Sequence, residues 1–361
     1  MNNHSLVKIY KNKKILITGH TGFKGSWLTL WLLNCGANIM GISNNIPTNP
    51  SLFKILNLEK KIIDKRLDIR DLKKIKREIN KFKPDFLFHL AAQSLVKKSY
   101  HEPYNTWTSN TLGTINILES LKSLKKKCIA IIITSDKSYK NIETKRGYVE
   151  TDALGGYDPY SASKASAELA LQSYIKSFFH KNKCKVHIGI ARAGNVIGGG
   201  DWSEDRLVPD CIRSWSKNKT VVIRNPKSTR PWQHVMEAIS GYLTLGAKIK
   251  KNAFLHGEVF NFGPNNRSNY KVISLVKQMQ NSWKKIKWIK SKGSKDRLES
   301  KLLKINSNKA KKILNWRCIL NFNETASFVS KWYETYFNGR IDMYEFTSGQ
   351  IKSYLNISKK N

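Results

Sequence analysis

Along the first half of the chain, apolar residues fall in short runs of β-branched character, separated by segments of helical length and mixed polarity. The runs KILITG, NIMGIS, IIDKRLDI, DFLFHLAA, IAIIITS and VHIGIARAG are mostly continuous rather than alternating, as strands covered on both faces must be. Their succession predicts an α/β protein built on a doubly wound parallel sheet with crossover helices. The second half, rich in Asn, Trp and Arg, breaks this rhythm with turns at GGGDW, RNPKSTRPW and NFGPNN. A composition shift near Asn195 predicts a sheet domain over residues 1–194 and a smaller part over 195–361. The apolar stretch EVFNFG, Glu258–Gly263, reads as one more buried strand, so the two parts are expected to interleave, a strand near 258–263 returning to the first.

With 361 residues, 40% of them hydrophobic, the chain can bury a full core. Its five cysteines (Cys35, Cys128, Cys184, Cys211, Cys318) are scattered without C-x-x-C spacing, which predicts neither disulfides nor a metal site and suits a reducing cytoplasm. The start, MNNHSLVKIYKNKK, lacks an apolar leader, and nowhere do eighteen apolar residues run on, so a cytoplasmic protein with no membrane partner is expected. The net charge of +38 raises nucleic acid as a partner. The excess is mostly lysine, spread along the chain in runs such as SLKKKC and NSWKKIKWIK, with no helix-turn-helix, zinc-finger or ribonucleoprotein pattern. The expectation is therefore no nucleic-acid partner; a catalytically silent, basic binding protein is the rival from outside the enzymes.

Candidate chemistry begins at KKILITGHTGFKGSWLTLWLL. A strand ends in Gly19, and Gly22 and Gly25 follow at G-x-x-G-x-x-G spacing before an apolar helix. Glycines there let the backbone turn, approach a pyrophosphate and pack helix on sheet, while free N–H groups at the helix start face the anion. This predicts a dinucleotide site, with Phe23 and Lys24 in its loop; His20 and Lys24 either touch phosphates or are solvated. The acidic residue that would hold ribose hydroxyls is missing, since GISNNIP supplies only Ser43, Asn44 and Asn45. NAD and NADP are not separated by that rule, and the absence of a nearby arginine favours NAD. Asp68, in RLDIRD, is either an acceptor for the adenine amine or the cap of the helix that follows.

In YDPYSASKASAELALQSY, Tyr160 and Lys164 are four residues apart on a helix that Asp158-Pro159 opens, so they share a face. An ammonium beside a phenol lowers a pKa otherwise near 10 and makes tyrosine a usable base. The apolar run IAIIITSDKSYKN stops at Thr134, and Ser135, Asp136 and Lys137 stand at its carboxyl end, where ligands of open α/β sheets lie. A surface ion pair between Asp136 and Lys137 is the alternative.

These residues resemble the extended short-chain dehydrogenase/reductase superfamily, with its Rossmann-type sheet. The segments TGHTGFKGSWL, LAAQSLVKKSYHEP, ITSDKSY, GGYDPYSASK, ARAGNVIGGGDW, DRLVPD and RNPKSTRPWQHV are most similar to its CDP-glucose 4,6-dehydratase family, from about Lys14 to WYETYFNG. Dehydratases of dTDP- and GDP-sugars usually place Glu where Lys137 stands. The resemblance implies a bound NAD in residues 1–194, touched by Gly19, Gly22, Phe23, Lys24, Gly25, Asp68, Ile69, Ala91, Ala92, Gln93, Tyr160 and Lys164. It implies a small-molecule substrate, CDP-glucose, anchored in 195–361 by Asn195, Arg206, Arg230 and His234. Tyr160 and Lys164 would then oxidise carbon 4, Ser135 support the ketone, and Asp136 and Lys137 expel water as acid and base, or with Lys137 acting only as a charge. A 4-epimerase or another sugar-nucleotide dehydratase is the alternative within enzymes. Arg192 is a further substrate candidate or half of a buried ion pair, and His234 either meets the nucleotide or packs beside Trp232. A homo-oligomer, dimer or tetramer, and a role in deoxysugar and surface-polysaccharide synthesis are implied as well.

Overall fold

The computed structural model describes residues 3–144, 146–180, 184–223, 225–264, 270–281, 287–290 and 302–360. The NFGPNN turn from Asn265 onward and Ser282–Ile286 of the lysine run lie outside them. Seven strands, β1 (Lys14–Thr18), β2 (Asn38–Ser43), β3 (Ile63–Arg66), β4 (Phe86–His89), β5 (Cys128–Ile133), β6 (Val186–Ala193) and β7 (Val259–Phe262), form one sheet in the order β7-β6-β5-β4-β1-β2-β3. Every pairing in it is parallel. The order reverses between β1 and β4, so the loops leaving these strands diverge and open a crevice at the carboxyl edge.

Continuous apolar strands arise because both faces are covered. Along β5, Ile131 and Ile133 enter one apolar cluster and Ala130 and Ile132 the other. The first cluster packs α1 (Asn3–Tyr10), α2 (Phe23–Asn34) and α6 (Val235–Lys251) on the sheet; Tyr10 Oη donates to the Leu243 carbonyl at 2.6 Å. The second packs α3 (Leu72–Phe82), α4 (Gly113–Lys122) and α5 (Pro159–Phe178). Asp158 caps α5 by accepting from the Ser161 amide at 3.0 Å, with Pro159 in the first turn.

β7 brings the chain back to β6, pairing Val259 with Ile190 and Phe262 with Ala193. Asn261 fastens this strand to the excursion after β5. Its amide donates to Glu150 Oε1 at 2.8 Å, its Nδ2 to the Tyr148 carbonyl at 2.9 Å, and its Oδ1 accepts from Tyr139 Oη at 2.8 Å. The C-terminal helices α7 (Phe322–Asn338) and α8 (Met343–Lys360) are held through Glu237 of α6. That buried carboxylate accepts from the Ile319 and Leu320 amides at 2.9 and 2.8 Å and from Tyr354 Oη at 2.7 Å. Burial pushes its carboxyl up to about 7. Among the described residues no helix is long and apolar enough to cross a membrane.

Candidate active site

The glycine turn is built by close backbone approach. Gly19 has φ +76°, and a Cβ on it would lie 2.7 Å from the Ala91 amide nitrogen; a Cβ on Gly25 would lie 2.1 Å from the Gly19 carbonyl oxygen. Gly22 caps α2 with no side-chain hydrogen bond, so the amides of the first turn, at Phe23 and Lys24, are presented without a side-chain acceptor from the cap. These features suit an anionic pyrophosphate. His20 is neither at a phosphate nor solvated. Its ring is fully buried, Nε2 2.9 Å from Asp64 Oδ1 and Nδ1 3.0 Å from Ser43 Oγ, in space that exists because Gly41 has no side chain.

The premise that no arginine stands near the end of β2 is overturned. Register sets Arg66 of β3 opposite Ser43, although Asp64 holds its guanidinium at 2.6 Å and the Phe53 ring lies 5.3 Å away. Asp68 is not the helix cap either, because Asp71 accepts from the Lys74 amide and caps α3. Asp68 accepts from Arg70 through amide and guanidinium, and that guanidinium holds its carboxyl below the ordinary range. Ile69 turns its side chain into the core against Gly113, leaving only its backbone to any ligand. In the loop after β4, Ala91 backs Gly19, Ala92 is half-buried, and Gln93 braces the loop through the Leu95 carbonyl and Thr106 at 3.0 and 2.9 Å.

At the mouth of β5 the chain winds one tight turn. Ser135 caps it, its Oγ accepting from the Lys137 amide at 3.2 Å and donating to Asp136 Oδ1 at 3.1 Å. The Ser135 hydroxyl also lies near enough to the Tyr160 phenol to favour its ionised form. Ser135, Asp136, Tyr160 and Lys164 are all buried, Lys137 half-buried. Burial raises the Asp136 carboxyl above the ordinary range, against the opposing pull of Lys137, Ser135 and Lys24. Burial also raises the Tyr160 phenol, and the largest contributions opposing it come from Ser135 and Arg206 rather than Lys164. Lys164 is itself brought down to about 8 by burial and by the charge of Lys24.

The turn opens on a cavity of about 350 Å³ whose sheet side carries Ser135, Asp136, Lys137 and Tyr160, and whose far side carries Asn195, Arg206 and Arg230. Arg206 enters from the start of the helix Leu207–Trp215, its guanidinium 3.0 Å from Asp201 Oδ2. Arg230 comes from a short strand, Thr229–Arg230, antiparallel to Tyr270–Lys271. His234 is not in this cavity. It is fully buried, caps α6 through Nδ1 to the Met236 amide, and packs between Trp27 and Phe328 with centroids 5.7 Å away. The residue that does line the cavity is Trp232. Arg192 is half of a buried pair, its Nε 2.9 and 3.0 Å from the two oxygens of Glu168. Glu168 also accepts from Thr134 at 3.0 Å, so the pair sits directly behind the Ser135 turn. Sequence reasoning missed Glu168 and Asp201; charge complementarity to the motif arginines was the available signal.

The family model described as GDP-mannose 4,6 dehydratase matches residues 16–328. The CDP-glucose 4,6-dehydratase of Salmonella typhimurium is 40% identical over 355 residues, 97% of this chain and 98% of that protein. Among solved structures, UDP-glucose 4-epimerase of Thermotoga maritima superposes with a TM-score of 0.77 at 22% identity, over 90% of this chain and 99% of that one. The dTDP-glucose 4,6-dehydratase of Bacillus anthracis, solved in complex with NAD, gives 0.72 at 21% over 90% and 97%. The glycine turn, the strand-mouth triplet and the near full-length relationship agree, and the chain belongs to the nucleotide-sugar 4,6-dehydratase family of the extended short-chain dehydrogenases/reductases.

Proposed function

We propose that this protein is an NAD-dependent CDP-glucose 4,6-dehydratase, a hydro-lyase converting CDP-glucose to CDP-4-dehydro-6-deoxy-glucose and water. The observation that carries the reading is the Ser135–Asp136–Lys137 turn, whose buried carboxyl is raised above the ordinary range and which lines one cavity with Tyr160. The glycine turn fits NAD by its close backbone packing and uncapped helix start, and Asp68 and Lys164 are among the residues that would hold it, Asp68 toward the adenosine. When bound, NAD accepts the hydride of carbon 4 and gives it back at carbon 6.

Tyr160 takes the proton of the 4-hydroxyl, and Ser135 donates to the oxygen that becomes the ketone. The ketone acidifies carbon 5. Lys137, in its neutral form, accepts that proton while Asp136 gives its own to the 6-hydroxyl, which leaves as water, and the proton goes back to carbon 5 when the hydride is returned at carbon 6. Burial suits Asp136 to this step because it raises the carboxyl's hold on its proton above the ordinary carboxylate range. Asn195, Arg206 and Arg230 hold the sugar nucleotide, arginine being suited to diphosphate oxygens. A second copy of the chain is the proposed partner. The adjoining helical run Pro103–Leu112 and α5 expose Tyr104, Trp107, Leu112 and Leu169, an apolar strip that a homodimer would cover. A cytoplasmic place and a role in deoxysugar supply belong to the same reading, with no nucleic-acid partner.

The test mixes protein and NAD separately with CDP-, dTDP-, GDP- and UDP-glucose and follows loss of one water by mass. Turnover confined to CDP-glucose supports the assignment. Water loss from another sugar nucleotide overturns the base, and inversion at carbon 4 without water loss favours an epimerase. Asp136→Asn should let reduced cofactor accumulate while dehydration slows by about 10²–10⁴; dehydration at the wild-type rate would remove Asp136 from the acid role.

A further inference from the structure

Lys24 is the second residue of α2 and belongs by position to the glycine turn. Its side chain nevertheless lines the cavity of Asp136, Asn195 and Arg230, and the charges near it include Arg206, Asp136 and Asp201, all cavity residues, besides Lys164 behind Tyr160. None of the polar groups around the adenosine side, Asp64, Ser43 or Asp68, is among them.

The neighbouring charges are already engaged. Lys97 pairs with Asp205 across the cavity mouth, Arg206 with Asp201, and Asp136 accepts from Ser135. Among the described residues the Lys24 ammonium has no hydrogen-bond or ion-pair partner. A half-buried ammonium without an acceptor is costly to keep unless an anion arrives. Two anions come to this enzyme, the cofactor's pyrophosphate and the substrate's diphosphate, and Lys24 faces the side where Arg206 and Arg230 stand.

We propose that Lys24 binds the diphosphate of the sugar nucleotide together with Arg206 and Arg230, so that one turn holds the cofactor with its backbone and the substrate with its side chain. The proposal rests on the dehydratase reading for the identity of the substrate. Burial and the Arg206 charge hold the Lys24 ammonium down to about 8. A diphosphate beside it favours the charged form and raises that value, so substrate binding near pH 8 takes up a proton.

The experiment titrates CDP, which cannot react, into NAD-loaded wild type and Lys24→Gln, and NADH into each protein separately. The expected result is CDP binding about ten- to a hundredfold weaker in Lys24→Gln, with NADH binding changed less than about threefold. Calorimetry at pH 8 in buffers of different ionisation heat should show proton uptake with CDP in wild type and none in Lys24→Gln. Lys24→Arg, which keeps the charge, should restore most of the CDP affinity, and melting curves separate misfolding from lost binding. Weakened NADH binding with CDP unchanged overturns the proposal, as do equal losses for both ligands or no loss for either. Wild type that does not bind CDP sinks the cytidine reading instead, and the same comparison is then made with UDP, dTDP and GDP.

Discussion

Glu237→Gln should make the protein more stable above neutral pH and leave it nearly unchanged near pH 5. Folding moves this carboxyl from an ordinary value near 4.5 to about 7, because α6 buries it completely while two backbone amides and Tyr354 only partly compensate. At about 1.4 kcal/mol for each tenfold change in proton affinity, the shift is worth about 3 kcal/mol. The folded state holds the proton more tightly than the unfolded chain, so the group's contribution is fully present below pH 4.5 and is lost as pH rises through about 7. Glutamine copies the neutral carboxyl: its Oε1 accepts from Ile319 and Leu320, and its amide can donate to Tyr354 Oη, which turns its own proton to Ser240 at 3.0 Å. Thermal melts of wild type and variant across pH 5 to 8 are the assay. The gap should open with pH in the variant's favour, to about 5 °C at pH 8. Parallel profiles, or a variant that is uniformly less stable, would refute the argument that Glu237 is ionised at a cost.

Gly25→Ala should lose NAD binding by more than about tenfold and destabilise by about 1–3 kcal/mol, since its Cβ would sit 2.1 Å from the Gly19 carbonyl; equilibrium dialysis and melting check both. Gly22→Ala meets only that oxygen at 3.4 Å, so weakened NAD binding at an unchanged melting temperature is expected there. Arg192→Met should cost about 3–5 kcal/mol in urea unfolding by stranding Glu168, and the double variant Arg192→Met/Glu168→Leu should recover most of it.

The parts of the fold and site that can be read from the chain are those in which cause and effect are neighbours in sequence. Apolar runs report strands covered on both faces, and the order Ser135, Asp136, Lys137 at a strand end and the four-residue step from Tyr160 to Lys164 are local facts. What escapes is decided across the sheet. Arg66 comes beside Ser43 through the register of β2 with β3, and His20 folds inward because Gly41, on another strand, leaves room. His234 follows a motif arginine, yet it starts α6 and is drawn between Trp27 and Phe328, so its neighbours in the chain mislead. Arg192 stands in a motif too, and only the packing of α5 reveals Glu168 behind it.

The return of β7 to the edge of β6 also bears on how the polypeptide is born. A ribosome emits β6 with Ala193, and β5 can already pair with one side of it, but the partner for its other side does not exist until Phe262 has been synthesised. Until then VHIGIARA presents an unpaired apolar edge, the kind of surface that recruits other nascent chains. Asn261, which binds Tyr139, Tyr148 and Glu150 at once, closes that interval by fastening the late strand to a loop already made. Completion of the sheet and anchoring of the loop that follows β5 are thus one event in biosynthesis, and a chain halted before β7 leaves both undone.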